Sequence, residues 1–381
     1  MLRWFFLLLA FFLGALSLLT VVEAPDWVSW KLALLAGQFG SVLVPLALGA
    51  GLMGWLLGSG LPARLALLFG VVGGVLFAMP GVEAWWIGRS LPATLAREFG
   101  PSPEAGRPFS LAALYASGPV RVKPVTLSYP GVQPLDFYRA ARPAAPVVVV
   151  IHGGGWDNGE RGQIPELNYW LVSRGYAVAD ISYRLAPAAI WPAQRADVLA
   201  AIAALKGHAA TLGLDPARIV VFGRSAGGQI AEAVAYGTKD PAIRGVVGFY
   251  APADMNFAYA FGREDDILKS PQLLRQFLGG APATAQAAYD SASGILSVSP
   301  ASPPTLLVHG QLDTLVWHRQ SERLAKRLGD ANVPRVFLSL PWSTHALEYH
   351  LASPGGQLST FALAWFLQAV TKSDHGRAGP P

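Results

Sequence analysis

Cysteine is absent from the 381 residues, so no disulfide can form and thiol content says nothing about compartment. Charge is sparse. Lys and Arg number 29 against 24 Asp and Glu, and the small surplus is scattered rather than clustered. Without a basic cluster, nucleic acid is excluded as an expected partner; the surplus suits mild attraction to anionic lipid. No internal repeat organises the chain. Charge is scarcest at the N-terminus. Leu2 to Val22 carries only Arg3, Leu32 to Leu57 carries no charge, and neither does Leu65 to Val82. Each run is long enough, or nearly so, to cross a hydrocarbon core about 30 Å thick, which takes roughly 20 helical residues. Trp27, Trp30, Trp85 and Trp86 fall at the ends, where amphipathic rings favour the membrane boundary.

Residues 1–88 are therefore expected to form three transmembrane helices, with membrane lipid as a partner and a multi-pass membrane location. Val22-Glu23-Ala24 loosely fits a signal-peptide cleavage site, but Pro25 follows it and two further spans would hold the chain regardless. Flanking Arg and Lys are too balanced to set an orientation. The lack of charge within the spans gives no support to a transport element. Residues 89–119 read as a linker, because Pro92, Gly100, Pro101, Gly106 and Pro108 argue against a long helix. Its apolar run Phe109–Tyr115 is expected to lie on the membrane or on the domain that follows. The polar tail, 373–381, is expected to be disordered.

The most informative stretch is Gly223-Arg224-Ser225-Ala226-Gly227, between the apolar run Ile219–Phe222 and a small-residue helix. A serine between glycines at a strand-to-helix turn is the sequence form of a nucleophile elbow. Small neighbours let strand and helix pass closely, and the hydroxyl stands at the positive end of a helix. Upstream, the buried-strand pattern Val147–Ile151 leads straight into His152-Gly153-Gly154-Gly155-Trp156. Such a loop can present backbone N–H groups to a developing oxyanion.

A base and an orienting acid are also needed, in the chain order Ser, Asp or Glu, His. Asp313 falls just past the strand pattern Thr305–His309, and His345 falls in the loop after Arg335–Leu340. Each also has a structural reading, Asp313 as a helix cap and His345 as a solvated loop residue. Asp254, after the strand pattern Gly245–Tyr250, is the second candidate for the acid. His152 reads as a structural member of its loop.

These motifs, together with Tyr183-Arg184-Leu185-Ala186-Pro187 and Asp215-Pro216-Ala217-Arg218-Ile219, give residues 120–372 a resemblance to the α/β-hydrolases. The segment is similar to esterases and lipases with an HGGGW-type oxyanion loop, among them hormone-sensitive-lipase-like and kynurenine-formamidase-like carboxylesterases. The resemblance implies a triad of Ser225, Asp313 and His345. It also implies an oxyanion hole drawn from the N–H groups of Gly153, Gly154, Gly155 and Ala226. Which of the three glycines donate varies within such families. Arg224 occupies a variable position of the elbow.

The pattern supports the fold without the family. Further strand patterns at Tyr176–Ile181 and Gly245–Tyr250 alternate with helix patterns at Ala193–Lys206, Gly227–Tyr236, His318–Leu328 and Gln357–Val370. Continuous apolar strands belong in a mostly parallel sheet with helices on both faces. Residues 252–303 interrupt the alternation and are expected to form a cap over the pocket. The function expected is hydrolysis of carboxylic esters through an acyl-enzyme, without metal or organic cofactor, on a small-molecule or lipid ester. An acyltransferase using the same triad and a non-catalytic binding module are the alternatives.

Overall fold

Long uncharged runs become long helices. In a computed structural model of the chain, residues 1–102 and 106–372 are described, and the tail 373–381 lies outside them. Helices α1 (Leu2–Ser17), α2 (Trp27–Leu56) and α3 (Gly60–Phe99) come first. All three are long and apolar enough to cross a membrane. The start of α2 is fixed by a capping box. The Asp26 carboxylate accepts from the N–H groups of Val28 and Ser29, and Ser29 Oγ accepts from Asp26 N–H at 3.1 Å. Small residues let the helices approach backbone to backbone. A Cβ on Gly51 would stand 2.8 Å from Gly70 Cα, and one on Gly14 would stand 3.1 Å from the Phe69 carbonyl.

The third helix corrects the expected linker. It runs on to Phe99 with Pro80 and Pro92 inside it, so the boundary placed at residue 88 falls within a helix. Each proline forfeits a backbone hydrogen bond. Packing outweighs that loss, because Leu91 and Leu95 are buried in the core on one face of the sheet. Phe109 and Leu114 join the same core, which settles the Phe109–Tyr115 run onto the globular domain.

Eight strands form one sheet: β1 (Val125–Leu127), β2 (Leu135–Tyr138), β3 (Ala145–Ile151), β4 (Ala177–Ile181), β5 (Leu214–Arg224), β6 (Ile243–Phe249), β7 (Thr305–Gly310) and β8 (Arg335–Leu340). Their order is β1-β2-β4-β3-β5-β6-β7-β8. The pairs β1–β2 and β2–β4 are antiparallel and all others parallel. Strands β1 and β2 lie outside the apolar runs that mark the parallel strands.

The helices of the domain are α4 (Pro165–Ser173), α5 (Ala193–Gly207), the short α6 (Ala209–Leu212), α7 (Ala226–Gly237), α8 (Met255–Phe261), α9 (Ser270–Leu278), α10 (Pro282–Ala292), α11 (Arg319–Asp330) and α12 (Pro354–Val370). Two cores cover the two faces of the sheet. One gathers α5, α7 and α11; the other gathers α4, α12 and the last turns of α3. Residues 252–303 supply α8, α9 and α10, stacked at the C-terminal edge of the parallel strands. That edge is where an α/β sheet presents its loops to a ligand.

Candidate active site

The turn from β5 to α7 forces Ser225 to φ +51°, ψ −123°, a conformation that costs a non-glycine residue energy. The turn is possible because its neighbours lack side chains. A Cβ on Gly223 would collide with the Gly227 carbonyl, and one on Gly227 with the carbonyls of Ile151 and His152. Ser225 N–H donates to the Phe249 carbonyl at 2.9 Å, which pins the strained residue to β6.

His345 lies in the loop after β8, and its Nδ1 is 2.6 Å from Asp313 Oδ2. Asp313, just past β7, accepts through Oδ1 from the N–H groups of Leu315 (2.9 Å) and Val316 (3.0 Å). The sequence reading missed a third partner, His309, whose Nε2 is 3.2 Å from Asp313 Oδ2. His309 is in turn held by Ser321 Oγ and the Val316 carbonyl. Burial pushes the Asp313 carboxyl up, but His345 and His309 outweigh it and hold the group well below the usual carboxylate range. Asp254 takes another role. Its carboxylate caps α8 at Phe257 N–H and pairs with Arg323 at 2.7 Å.

The glycine loop after β3 folds back on itself. Gly154 and Gly155 have φ +122° and +61°, and a Cβ on Gly154 would strike the Asn158 carbonyl. Gly153 N–H donates to Gln163 Oε1 at 2.9 Å, so this member of the expected oxyanion set points at a side chain instead. His152 is buried, stacks on Tyr183 at 4.2 Å and bonds through Nδ1 to the Gly153 carbonyl. Burial pulls its pKa down, in keeping with a structural imidazole. Trp156 donates to Gln229 at 2.9 Å and stacks on Phe277 of α9, tying the loop to the segment 252–303.

Ser225, His345, Ala226 and the three glycines line one cavity of about 700 Å³. A smaller cavity of about 340 Å³ lies beside it under α8 and α9, reaching Asp313. Trp156, Leu273 and Val316 belong to both walls. The N-terminal region contributes as well: Trp27, Trp30 and Leu34 of α2 line the larger cavity.

Arg224, read from the sequence as a variable position, is 1% exposed. Its Nε donates to Glu348 Oε1 at 2.7 Å, and the Tyr250 hydroxyl donates to the same oxygen at 2.7 Å. The Tyr250 ring lies 4.2 Å from His345, so the cluster forms the floor beneath the imidazole. A charge closing an apolar strand is the one sequence signal that called for such a partner.

Comparison with known proteins agrees with this architecture. A family model described as BD-FAE matches residues 135–328. A probable carboxylic ester hydrolase of Mycobacterium tuberculosis, LipM, is 31% identical over 252 residues, covering 62% of this chain and 57% of that protein. Esterase LipQ of the same organism is 30% identical over 229 residues, covering 56% and 54%. The chain thus spans a little over half the length of these curated relatives. Among solved structures, a fungal esterase from Rhizomucor miehei superposes with a TM-score of 0.57 at 21% identity, over 74% of this chain and 96% of that one. A truncated carbohydrate esterase from gut microbiota gives 0.56 at 23%, over 67% and 100%. The fold is that of the α/β-hydrolases, preceded by three long apolar helices.

Proposed function

The chain belongs to the BD-FAE family, and on that premise we propose that it is a membrane-anchored serine hydrolase that cleaves carboxylic esters. The observation that carries the reading is a strained Ser225 sharing one cavity with His345, whose imidazole is held at 2.6 Å by Asp313. Relatives named as ester hydrolases support the reaction class.

Ser225 Oγ attacks the ester carbonyl while its proton passes to His345 Nε2. Asp313 fixes the Nδ1–H tautomer and stabilises the imidazolium. Because Gly153 N–H is occupied by Gln163, the N–H groups of Gly154, Gly155 and Ala226 receive the oxyanion. One such donor is worth about 3 kcal/mol of transition-state stabilisation. The intermediate collapses, the alcohol leaves with the proton from His345, and an acyl-Ser225 remains. Water, deprotonated by His345, then releases the acid and restores the serine. The three N-terminal helices hold the domain to the bilayer.

Hydrolysis of p-nitrophenyl esters by the detergent-solubilised chain tests the reading. Wild type is expected to turn over, and Ser225→Ala to fall to background while keeping its fold. An active mutant would remove the nucleophile from the scheme, and an inactive wild type would remove the reaction.

A further inference from the structure

We propose that the ester is carried by a membrane lipid, whose acyl chain enters the catalytic cavity from the bilayer along α2 and is received by Trp27, Trp30 and Leu34. The inference deepens the hydrolase reading above and rests on it.

The first observation is the wall itself. Trp27, Trp30 and Leu34 share the cavity of Ser225 and His345, yet they belong to a helix apolar enough for hydrocarbon. They precede β1, the first strand of the sheet, and lie outside residues 135–328, where the family match falls, so this wall comes from the N-terminal helices.

The second is the height at which this wall stands. Gly54 lies against Phe6 and Ala66, and Gly40 against Phe77. Thr20 Oγ1 donates to the Leu76 carbonyl at 3.2 Å. These contacts define one bundle from residues 2–20, 40–56 and 60–77, whose arms are about 26–30 Å long at 1.5 Å per residue. That matches the hydrocarbon core of a bilayer. The first three turns of α2 therefore leave the bundle and end at the catalytic cavity. On their outer side Val28, Leu32 and Leu35 are 68%, 40% and 48% exposed, and Val42 and Leu46 continue the same stripe into the bundle. The spacing places all five on one helical face. An apolar stripe thus runs along α2 from the bundle to its first turn, with Lys31 between it and the face that lines the cavity.

The third observation concerns the neighbouring cavity. Glu23, in the turn between α1 and α2, lines it together with Phe261 and Trp317, which are 61% and 43% exposed. Exposed aromatic rings at this level suit the membrane boundary. Both cavities therefore lie on the side of the molecule where the first turns of α2 project beyond the bundle. A small polar ester gains nothing from that placement. A long acyl chain already in the bilayer gains the apolar stripe of α2 as a guide and the Trp27–Leu34 wall as a receiver beside Ser225.

The test uses the full chain in phosphatidylcholine vesicles, with the 4-methylumbelliferyl esters of oleic and butyric acid as probes. Leu34→Trp fills the α2 wall and Trp30→Ala removes part of it. Each is expected to lower the oleate-to-butyrate ratio of kcat/KM at least tenfold relative to wild type. In wild type the oleate ester is expected to be the better substrate. A ratio unchanged in both variants, or a wild type preferring butyrate, overturns the inference while the hydrolase reading stands. Cleavage of neither ester, or cleavage that survives Ser225→Ala, overturns the hydrolase reading and this inference with it.

Discussion

Gln38, deep in an apolar helix, donates through Nε2 to the carbonyl of Ala346, the residue next to His345. The same amide accepts from His350 N–H at 2.6 Å, so one side chain of α2 clamps both ends of the His345 loop. Gln38 is buried, and Phe39 beside it stacks on His350 at 4.8 Å. The N-terminal helices are thus joined to the site by hydrogen bonds as well as by packing.

Gln38→Leu is expected to slow turnover without touching any reacting atom. It leaves the part-buried His350 N–H unpaired, at about 1–3 kcal/mol, and takes one of two donors from the Ala346 carbonyl, which keeps Tyr349 N–H at 3.0 Å. Loosening the loop displaces His345, and kcat is expected to fall by one to two orders of magnitude, roughly what a 1 Å misplacement costs. Steady-state kinetics on p-nitrophenyl butyrate checks this; an unchanged kcat would mean that the loop holds its shape without the clamp.

Asp313→Asn is expected to cut kcat by about 10⁴-fold, because the amide stabilises the wrong imidazole tautomer. Asp254→Asn is expected to cost stability instead, since Asp254 serves as a cap and as the Arg323 partner. A larger kinetic loss for Asp254→Asn than for Asp313→Asn would reverse the two assignments.

The buried pair Arg224–Glu348 gives a double-variant test. Arg224→Met leaves a carboxylate buried without its counter-charge, at a cost of about 3–5 kcal/mol. Adding Glu348→Gln removes that charge and keeps an acceptor for the Tyr250 hydroxyl. The double variant is expected to recover most of the lost thermal stability. If it melts no higher than Arg224→Met, the cost lies in packing and not in the unpaired charge.

Glu232 makes a signed prediction about pH. It is fully buried on α7, neither carboxylate oxygen has a hydrogen-bond partner, and burial pushes its pKa from 4.5 up to about 8. A carboxyl whose folded pKa is raised stabilises the fold below its unfolded value, and that stability is lost as pH rises to the folded one. Wild type is therefore expected to lose thermal stability between about pH 4.5 and about pH 8, and Glu232→Gln to lose less over the same window. Parallel melting curves for the two proteins would remove Glu232 as the cause.

What the sequence disclosed was local. The parallel strands announce themselves as continuous apolar runs, and Val147–Ile151, Thr305–His309 and Arg335–Leu340 lie within observed strands. The elbow and the glycine loop are legible because their backbone needs residues without side chains at fixed offsets. Strand ends and chain order single out Ser225, Asp313 and His345 as candidates without any distant contact, and the structure brings His345 to 2.6 Å from Asp313 and into one cavity with Ser225. What stayed hidden depends on partners far along the chain. Arg224 and Glu348 are 124 residues apart, and nothing local pairs them. Pro92 reads as a helix breaker until Leu91 and Leu95 are seen buried against the sheet. Gln163 looks like any loop polar residue until its oxygen is found on Gly153 N–H. That α2 walls the Ser225 cavity has no signature at all, since Trp27 and Trp30 suit a membrane boundary equally well.

Helix α3 runs from Gly60 to Phe99 without a break, about 60 Å at 1.5 Å per residue, and its far end is gripped by Arg335 through Glu98. No loop interrupts it, although Pro80 and Pro92 each remove a backbone hydrogen bond along its length. Lipid bilayers of different thickness change the tilt of the helices within them. On the membrane anchoring proposed above, α3 carries that tilt toward the sheet, so thickness is expected to shift the height and attitude of the Ser225 cavity above the headgroups. On that reading the lipid composition of the host bilayer would act as a setting on the cavity, with no ligand required to turn it.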